Sequence, residues 1–408
     1  MTSKKPPLSS FPLEIAQEGE VEVYVPRLEF FKRRPQDYAP CMAPVFYNPA
    51  MELNRDIAVL ALQAYQRIVN REIIVCEPFA GCGIRGIRFG REVEGVKTVV
   101  MSDISWKAYR LMKYNITFSG LGERVIVKRA DANLLLARHS GPHKRFDAID
   151  IDPFGSPAPF LDSSIKALRN GGLIALTATD MAPLCGVHVK ACLRKYCGRS
   201  MRTEYCHELA VRLLMGSLAT TAARYEMGMK PLFSHCTDHY VRVYAVLEHG
   251  AEVADETLSQ MGYVLHCFSC FHRETIHEST LLQHGIRCPE CGSKMDYAGP
   301  LWLGYLWDRG FHALMIKEAG RKTLGCMKRV MQILRLVGEE MDAPPTYFVL
   351  DKLCDNLGLP VPSKAKIIEV LKSWGFTAAS THFHPKGVRT NASAAQVKRA
   401  LLKTFHSK

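Results

Sequence analysis

The sequence has no apolar run of about 18 residues, the length that a helix needs to cross a bilayer, so we expect no membrane span. We also expect no secretory signal, because no apolar core follows the lysines in residues 1–7. No repeat or low-complexity tract is present, and a composition of 47% hydrophobic and 23% charged residues excludes wholesale disorder. Acidic residues are few beside basic ones, 40 against 53. This balance favours a polyanionic partner, nucleic acid first and an acidic membrane surface second.

Cysteine, by contrast, is abundant, with 14 residues. A chain of 408 residues can bury a sizeable core in two or three domains, so disulfides are not needed for its folding. Without a secretory signal, this many cysteines indicates reduced thiols, some of them bound to metal. We therefore expect a cytoplasmic protein, or a nuclear one if the source is eukaryotic.

Short apolar runs alternate with helical patterns from Asn54 to Leu176. A helical stripe runs from Asn54 to Ile68, and helix candidates lie at Ser105–Ile116 and Phe160–Leu168, where Gly171-Gly172 ends the last. This alternation predicts βαβ units and a parallel, Rossmann-like α/β sheet. The apolar runs are Ile73–Cys76, Thr98–Met101, Val125–Val127, Phe146–Ile151 and Leu173–Leu176.

A helix at Leu209–Tyr225 and a strand at Tyr240–Leu247 complete this region. We place the end of the first domain there, which gives domains at 1–247 and 248–408.

Four acidic residues stand at or just after successive predicted strands: Glu77, Asp103, Asp131 and Asp152. Ligands of parallel α/β sheets bind beyond the carboxyl ends of the strands. The four acids therefore predict a binding site at that edge.

A glycine-rich loop, Gly81-Cys82-Gly83-Ile84-Arg85-Gly86, follows the first of these acids. Gly81 and Gly83 permit close backbone approach, but the pattern alone also fits dinucleotide sites. Glu77 would repel a pyrophosphate and attract the sulfonium and ammonium groups of S-adenosylmethionine. We therefore favour that cofactor over a nicotinamide or a purely structural loop. Asp103 is placed to bind its ribose hydroxyls, and Asp131 and Ala132 its adenine.

The segment Asp150-Ile151-Asp152-Pro153-Phe154-Gly155 ends the fourth run and looks like the acceptor motif of amino-group methyltransferases. Hydrogen bonds to Asp152 would draw the lone pair of a base's exocyclic amine toward the methyl group, while Phe154 stacks the base. Phe46 or Tyr47 is a candidate for the other face of the base, and Arg55 or Arg85 for the methionyl carboxylate. The alternatives are a simple turn at Asp152 and core packing at Phe46.

Two Cys-x₂-Cys pairs, Cys267/Cys270 and Cys288/Cys291, are separated by 17 residues. This spacing is typical of a structural four-thiolate zinc ribbon, which we place at 263–295. An iron–sulfur centre, unliganded thiols, or ligation by flanking histidines remain alternatives.

The last 63 residues, 346–408, form a basic module with ten Lys/Arg and three Asp/Glu. A helix at Lys364–Leu371 followed by a turn suggests a helix-turn-helix-like fold. We expect its cations to bind a nucleic-acid backbone.

Taken together, these motifs resemble those of the tRNA (guanine-26 N2) dimethyltransferase family. The resemblance rests on residues 44–56, 77–88, 150–157 and 381–392 and on the paired Cys-x₂-Cys. It implies a class I methyltransferase domain followed by a C-terminal α+β tRNA-recognition domain that contains the zinc ribbon. It also implies one or two methyl transfers to guanine N2 in tRNA. By position it assigns Asp152 to the acceptor amine, with Phe46 and Phe154 near the base. To the cofactor it assigns Arg55, Arg85, Asp103, Asp131 and Ala132, with Glu77 where the family often has Asp.

Two other functions fit parts of the sequence. One is a DNA amino-methyltransferase that uses the same acceptor chemistry. The other is a nucleic-acid-binding regulator whose Rossmann-like half binds a metabolite without turnover. No protein partner is implied.

Overall fold

The structure is a computed structural model, and it describes residues 10–32, 34, 39–277 and 286–406. Residues 1–7, on which the expectation of no secretory signal rests, lie outside this range. So does the stretch 278–285 inside the predicted zinc ribbon. Among the described helices, none is both long and apolar enough to cross a bilayer.

The strands are β1 (Leu13–Glu18), β2 (Val21–Pro26), β3 (Ile73–Glu77), β4 (Val96–Asp103), β5 (Val125–Arg129), β6 (Phe146–Ile151), β7 (Leu168–Ala178), β8 (Met227–Thr237), β9 (Tyr240–His249), β10 (Met261–His266), β11 (Arg273–Ile276), β12 (Asp296–Trp302), β13 (Phe348–Val349), β14 (Ala378–Ser380) and β15 (Gly387–Thr390). The helices are α1 (Ala39–Met42), α2 (Glu52–Val69), α3 (Ile84–Glu92), α4 (Trp106–Ser119), α5 (Ala132–Arg138), α6 (Leu161–Ala167), α7 (Met181–Leu184), α8 (Val189–Tyr196), α9 (Cys206–Ala223), α10 (Ala251–Ser259), α11 (Arg309–Ala319), α12 (Met327–Glu340), α13 (Leu350–Leu357), α14 (Lys364–Ser373) and α15 (Ala394–His406).

The chain divides into two compact units. The first holds residues 1–152, 160–176 and 313–332, and the second holds 153–159, 177–312 and 333–408. These units interleave along the chain, so the boundary expected near residue 247 stays a prediction.

The first unit is built on parallel strands in the order β5-β4-β3-β6-β7. All five predicted apolar runs are strands, and β6 is buried at every position, as expected of a sheet covered on both faces. The helical stripe is also confirmed as α2, buried from Leu53 to Gln66. One detail is wrong: Gly171 and Gly172 lie inside β7, not at a helix stop, because this strand starts at Leu168.

Buried ion pairs link the first unit's segments. Arg88 is fully buried, and its guanidinium contacts Asp56 and Glu92, both at 2.8 Å. The Arg55 guanidinium forms an ion pair with Glu18 at 2.5 Å. Such pairs require both partners, since a lone buried charge is costly.

The second unit contains the antiparallel hairpin of β8 and β9 and the long buried helix α9. The sequence patterns predicted β9 and α9 but not β8. Strands β11, β10 and β12 form an antiparallel sheet in that order. Helices α11 and α12 follow β12 along the chain, and residues 313–332 of this stretch belong to the first unit.

The basic tail has its own core. Strands β13, β15 and β14 form a small antiparallel sheet, and buried side chains of α13, α14 and α15 pack in one cluster with it. The expected helix at 364–371 is present as α14. The helix-turn-helix-like reading stays a prediction, since strands separate α14 from α15.

Candidate active site and metal centre

Acidic side chains line the carboxyl edge of the parallel sheet, as expected. Glu77 and Asp103 are the last residues of β3 and β4, and Asp152 directly follows β6. Asp131 lies two residues beyond β5 and caps α5, where its Oδ1 accepts the backbone N–H of Leu134 at 3.1 Å.

The glycine loop joins β3 to α3 without room for larger residues. Gly81 and Gly83 have φ of 55° and 86°, a backbone conformation that side chains disfavour. A Cβ on Gly81 would lie 2.8 Å from the backbone oxygen of Phe46. Phe46, a predicted site residue, therefore lies beside the glycine loop. A Cβ on Gly86 would overlap the sulfur of Met101, so this glycine allows α3 to pack closely on the sheet.

Asp103 is held in one orientation by the loop. Its Oδ2 accepts the Gly81 N–H at 3.1 Å, and its Oδ1 accepts the Ser105 N–H at 2.8 Å. Burial raises the pKa of this carboxyl, and the two backbone hydrogen bonds oppose that rise. Because each carboxylate oxygen has more than one lone pair, Asp103 retains capacity to accept ribose hydroxyls.

Arg85 stands at the centre of the acidic edge. Its guanidinium is within 3.4 Å of both Glu77 and Asp150, forms an ion pair with Asp152, and donates to Asn54 Oδ1 at 2.8 Å. Side-chain exposure of Arg85 is only 5%. One buried cation therefore faces three carboxyls, and the cluster has an excess of negative charge.

Glu77 absorbs part of this excess. Burial is the largest influence and raises the pKa of Glu77 to about 8; Arg85 lowers it, and Asp150 and Asp152 raise it. This cluster has more carboxyl groups than cations, and Glu77 Oε2 is buried without a hydrogen-bond partner in the described chain. Such a site fits a cationic ligand, and S-adenosylmethionine carries a net positive charge.

Arg55 has other partners than the residues of this cluster. Its Nε and Nη2 donate to Glu18, and Nη2 also donates to the Asn48 carbonyl at 3.0 Å. Its cofactor contact stays a prediction, and Arg85 is the cation that the fold brings to the strand-end acids. Asp150 and Asn54 are cluster members that the sequence analysis did not single out. Asp150 could have been identified from its position two residues before Asp152, because residues two apart along a strand share a face.

The acceptor segment is fixed within the second unit. Gly155, at φ 81°, donates its N–H to Thr179 Oγ1 at 2.8 Å, and the Thr179 N–H donates to the Gly155 carbonyl at 2.9 Å. Phe154 is 69% exposed. An exposed ring on such a loop suits base stacking. Thr179, which the sequence analysis did not single out, fixes the loop through its two hydrogen bonds with Gly155.

The four cysteines of the predicted ribbon converge. The sulfurs of Cys267, Cys270, Cys288 and Cys291 all lie within 4.8 Å of one another, with Cys267–Cys291 at 3.5 Å and Cys270–Cys288 at 3.4 Å. Tetrahedral zinc with bonds of about 2.3 Å places sulfurs about 3.8 Å apart, so the donor set fits this ion. The flanking histidines are not part of this group.

Comparison with known proteins agrees with these features. The chain is 41% identical over 384 residues to the tRNA (guanine(26)-N(2))-dimethyltransferase of Methanothermobacter thermautotrophicus, covering 94% of this chain and 97% of the relative. It is 37% identical to an Aquifex aeolicus protein named tRNA (guanine(26)-N(2)/guanine(27)-N(2))-dimethyltransferase, covering 95% and 96%.

A solved structure has the same fold. Trm1 from Pyrococcus horikoshii, determined in complex with S-adenosyl-L-methionine, matches with a TM-score of 0.83 and 34% identity over 95% of this chain and 99% of that one. Residues 19–402 match the model of the N2,N2-dimethylguanosine tRNA methyltransferases, and the chain belongs to this family.

Proposed function

We propose that this protein is an S-adenosylmethionine-dependent enzyme that methylates the exocyclic N2 of guanine 26 in tRNA. The observation that carries this proposal is the Arg85 cluster, in which Glu77, Asp150 and Asp152 meet one cation beside the glycine loop. Membership of the family and the relatives' names support the substrate.

On the donor side, Glu77, Asp103, Asp131 and Ala132 would hold the cofactor, and the positive φ values of Gly81 and Gly83 let the backbone approach it. S-adenosylmethionine, when bound, supplies an electrophilic methyl group. Arg85 orients the cluster's carboxyls. Arg85 and Arg55 are both candidates for a cofactor carboxylate, and Arg55 is paired with Glu18.

On the acceptor side, Asp152 would accept a hydrogen bond from the guanine amino group. Guanine N2 is a poor nucleophile because its lone pair is delocalised into the ring. By accepting a hydrogen bond from this N–H, Asp152 would increase the electron density on N2 as N2 bonds to the methyl carbon and the bond from that carbon to the cofactor's sulfur breaks. Asp152 would also be in place to accept the proton that N2 loses. Phe154 and Phe46 would stack against a base taken out of the folded RNA.

The cysteine group would bind one structural Zn²⁺. Four thiolates close the coordination sphere and leave no position for substrate, so this ion would stabilise the second unit and take no part in methyl transfer. We place the protein in the cytoplasm, where reduced thiols and tRNA are both available.

Nucleoside mass analysis of tRNA treated with enzyme and cofactor tests the proposal. We expect N2-methylated or N2,N2-dimethylated guanosine, which disappears when guanine 26 of the transcript is replaced by adenine. Duplex DNA serves as the competing substrate. Methylation of DNA alone, or tight tRNA binding without methyl transfer, would instead support the amino-methyltransferase of DNA or the regulator. Product that survives the replacement of guanine 26 would point to guanine 27, as the Aquifex name suggests for that relative.

A further inference from the structure

Helix α4 presents an unusual outward face. Trp106, Tyr109, Arg110 and Lys113 are spaced i, i+3, i+4 and i+7, so they share one side of the helix. The helix's buried residues, Ala108, Leu111, Met112, Asn115 and Ile116, occupy the other side. Trp106 is 51% exposed. Trp106 is therefore not buried in the core, and Tyr109 is half-buried.

The rings and cations of this face are interleaved. The Trp106 and Tyr109 rings stack at 5.3 Å and 26°. The guanidinium groups of Arg110 and Arg129 lie 6.0 and 5.6 Å from the Trp106 ring, and the Lys113 ammonium lies 5.0 Å from the Tyr109 ring. We call these five residues the aromatic–cationic stripe.

The positive charge of the stripe is uncompensated. In the part of the chain that the structure describes, none of its three cations has a carboxylate within 4.0 Å. Helix α4 contains no acidic residue, and Lys107 lies in its first turn, where the helix dipole disfavours cations. Positive charges without nearby carboxylates are unfavourable for the protein alone, so this arrangement points to an anionic partner.

We propose that the aromatic–cationic stripe binds the substrate tRNA, with Arg110, Lys113 and Arg129 on phosphates and Trp106 stacked on an unpaired base. Alternating rings and cations are the pattern that binds single-stranded nucleic acid. The stripe begins three residues after Asp103, so RNA held there lies at the edge of the sheet that carries the donor site. This inference rests on the proposed function and adds a tRNA contact on the methyltransferase unit, separate from the basic tail.

The test compares tRNA affinity over a series of salt concentrations for Trp106→Ala, Trp106→Phe and the double variant Arg110→Gln/Lys113→Gln. Lys97→Gln is the matched control, because Lys97 is an exposed lysine of the same unit whose ammonium lies 3.6 Å from Glu72. We expect Trp106→Ala to weaken binding about 5- to 100-fold and Trp106→Phe to restore most of it. The double variant should lower the salt slope by about 0.7 to 0.9 per lost phosphate contact. Cofactor affinity should stay unchanged.

The inference is overturned if the stripe variants bind tRNA with the affinity and salt slope of Lys97→Gln. It is also overturned if Trp106→Ala lowers only the melting temperature, or if the stripe captures acidic peptide and not RNA. If the wild-type protein methylates no tRNA, the proposed function fails instead, whatever the variants do.

Discussion

The guanidinium of Arg85 forms an ion pair with the carboxylate of Asp152. These residues come from distant parts of the chain, the first turn of α3 and the end of β6, and they meet at the carboxyl edge of the sheet. The pair orients one Asp152 oxygen toward Arg85 and keeps the group at 16% exposure. Arg85 therefore acts as a positioning residue for the carboxylate that we assign to the acceptor amine.

Replacement of Asp152 by Asn should abolish most methyl transfer while cofactor binding survives. Asparagine keeps the size of the side chain but lacks the negative charge that we expect to polarise the N–H bond of the amine. We expect the single-turnover rate of methyl transfer to fall about 100-fold or more, with a cofactor Kd within a few-fold of the wild-type value. Rapid-quench assays with labelled cofactor measure the rate, and calorimetry measures the affinity.

The matched control for this experiment is Asp255→Asn, which removes one exposed carboxylate from α10. Its rate should equal that of the wild type. Turnover by Asp152→Asn at near the wild-type rate would contradict the assignment of the acceptor site.

The raised pKa of Glu77 leads us to expect that cofactor affinity depends on pH. The free protein holds a proton on this carboxyl up to about pH 8, because burial raises the pKa to about 8. A cationic ligand favours the carboxylate, so binding releases this proton, and affinity should increase as pH rises toward 8. The slope is at most about tenfold per pH unit.

Glu77→Gln tests this dependence, since glutamine mimics the protonated side chain. Calorimetry from about pH 6.5 to about 8.5 should show a flatter profile for the variant and weaker binding at the upper end. The stability of the ligand-free protein should change with pH in the opposite direction to cofactor affinity. A folded pKa above the ordinary value of 4.5 favours folding at low pH, and this contribution is lost as pH rises toward 8. Equal pH profiles for the two proteins would contradict a cofactor contact at Glu77.

The strand-end acids and the glycine loop were predictable because their signals are local. Each acid ends or follows a short apolar run, and parallel strands bring these ends to one edge. The partners of the arginines were not predictable. Arg55 binds Glu18, 37 residues away, and Arg85 binds Asn54, 31 residues away, and nothing in the intervening sequence favours these pairings over others.

Strand β8 was missed for a different reason. Its sequence, MGMKPLFSHCT, contains Gly228 and Pro231, which lower strand propensity. The register of the hairpin shifts between Pro231 and Phe233, so β9 accommodates the proline at an irregularity. The stability of this strand comes from tertiary pairing and not from its own residues.

Metal analysis should find one zinc ion per chain. Cys288→Ser should lose the ion, because three thiolates bind zinc more weakly than four. It should lower the temperature at which the second unit unfolds, since metal affinity contributes to folding. The affinity for S-adenosylmethionine should not change, because the residues proposed to hold this cofactor belong to the first unit.

Cys41→Ser is the control for this experiment, because Cys41 is an exposed cysteine outside the group. Its zinc content should equal that of the wild type. A metal-free wild-type protein, or visible absorption typical of an iron–sulfur cluster, would contradict the zinc assignment.

Arg389 is fully buried between two acids of the second unit. Its Nη2 lies 2.7 Å from Glu208 Oε2, and its Nε lies 2.8 Å from Glu340 Oε2. Glu208 comes from α9, Glu340 from α12 and Arg389 from β15, so one guanidinium ties three elements together. Arg389→Met leaves both carboxyls buried with less compensation, and the free energy of unfolding should fall by about 3–5 kcal/mol.

The variant should also change the acid side of the stability profile. Burial alone would raise the pKa of Glu208, but Arg389 and Arg212 outweigh it and lower the pKa to about 2. A depressed pKa stabilises the fold above the ordinary value of 4.5, and this contribution is lost as pH falls toward 2. Without Arg389 the loss should begin at higher pH. Hydrogen exchange in α9 measures both effects, with the exposed Arg399→Met as a control expected to stay within about 0.5 kcal/mol. If Arg389→Met protects α9 as well as the control does, the buried network contributes nothing to holding the tail in place.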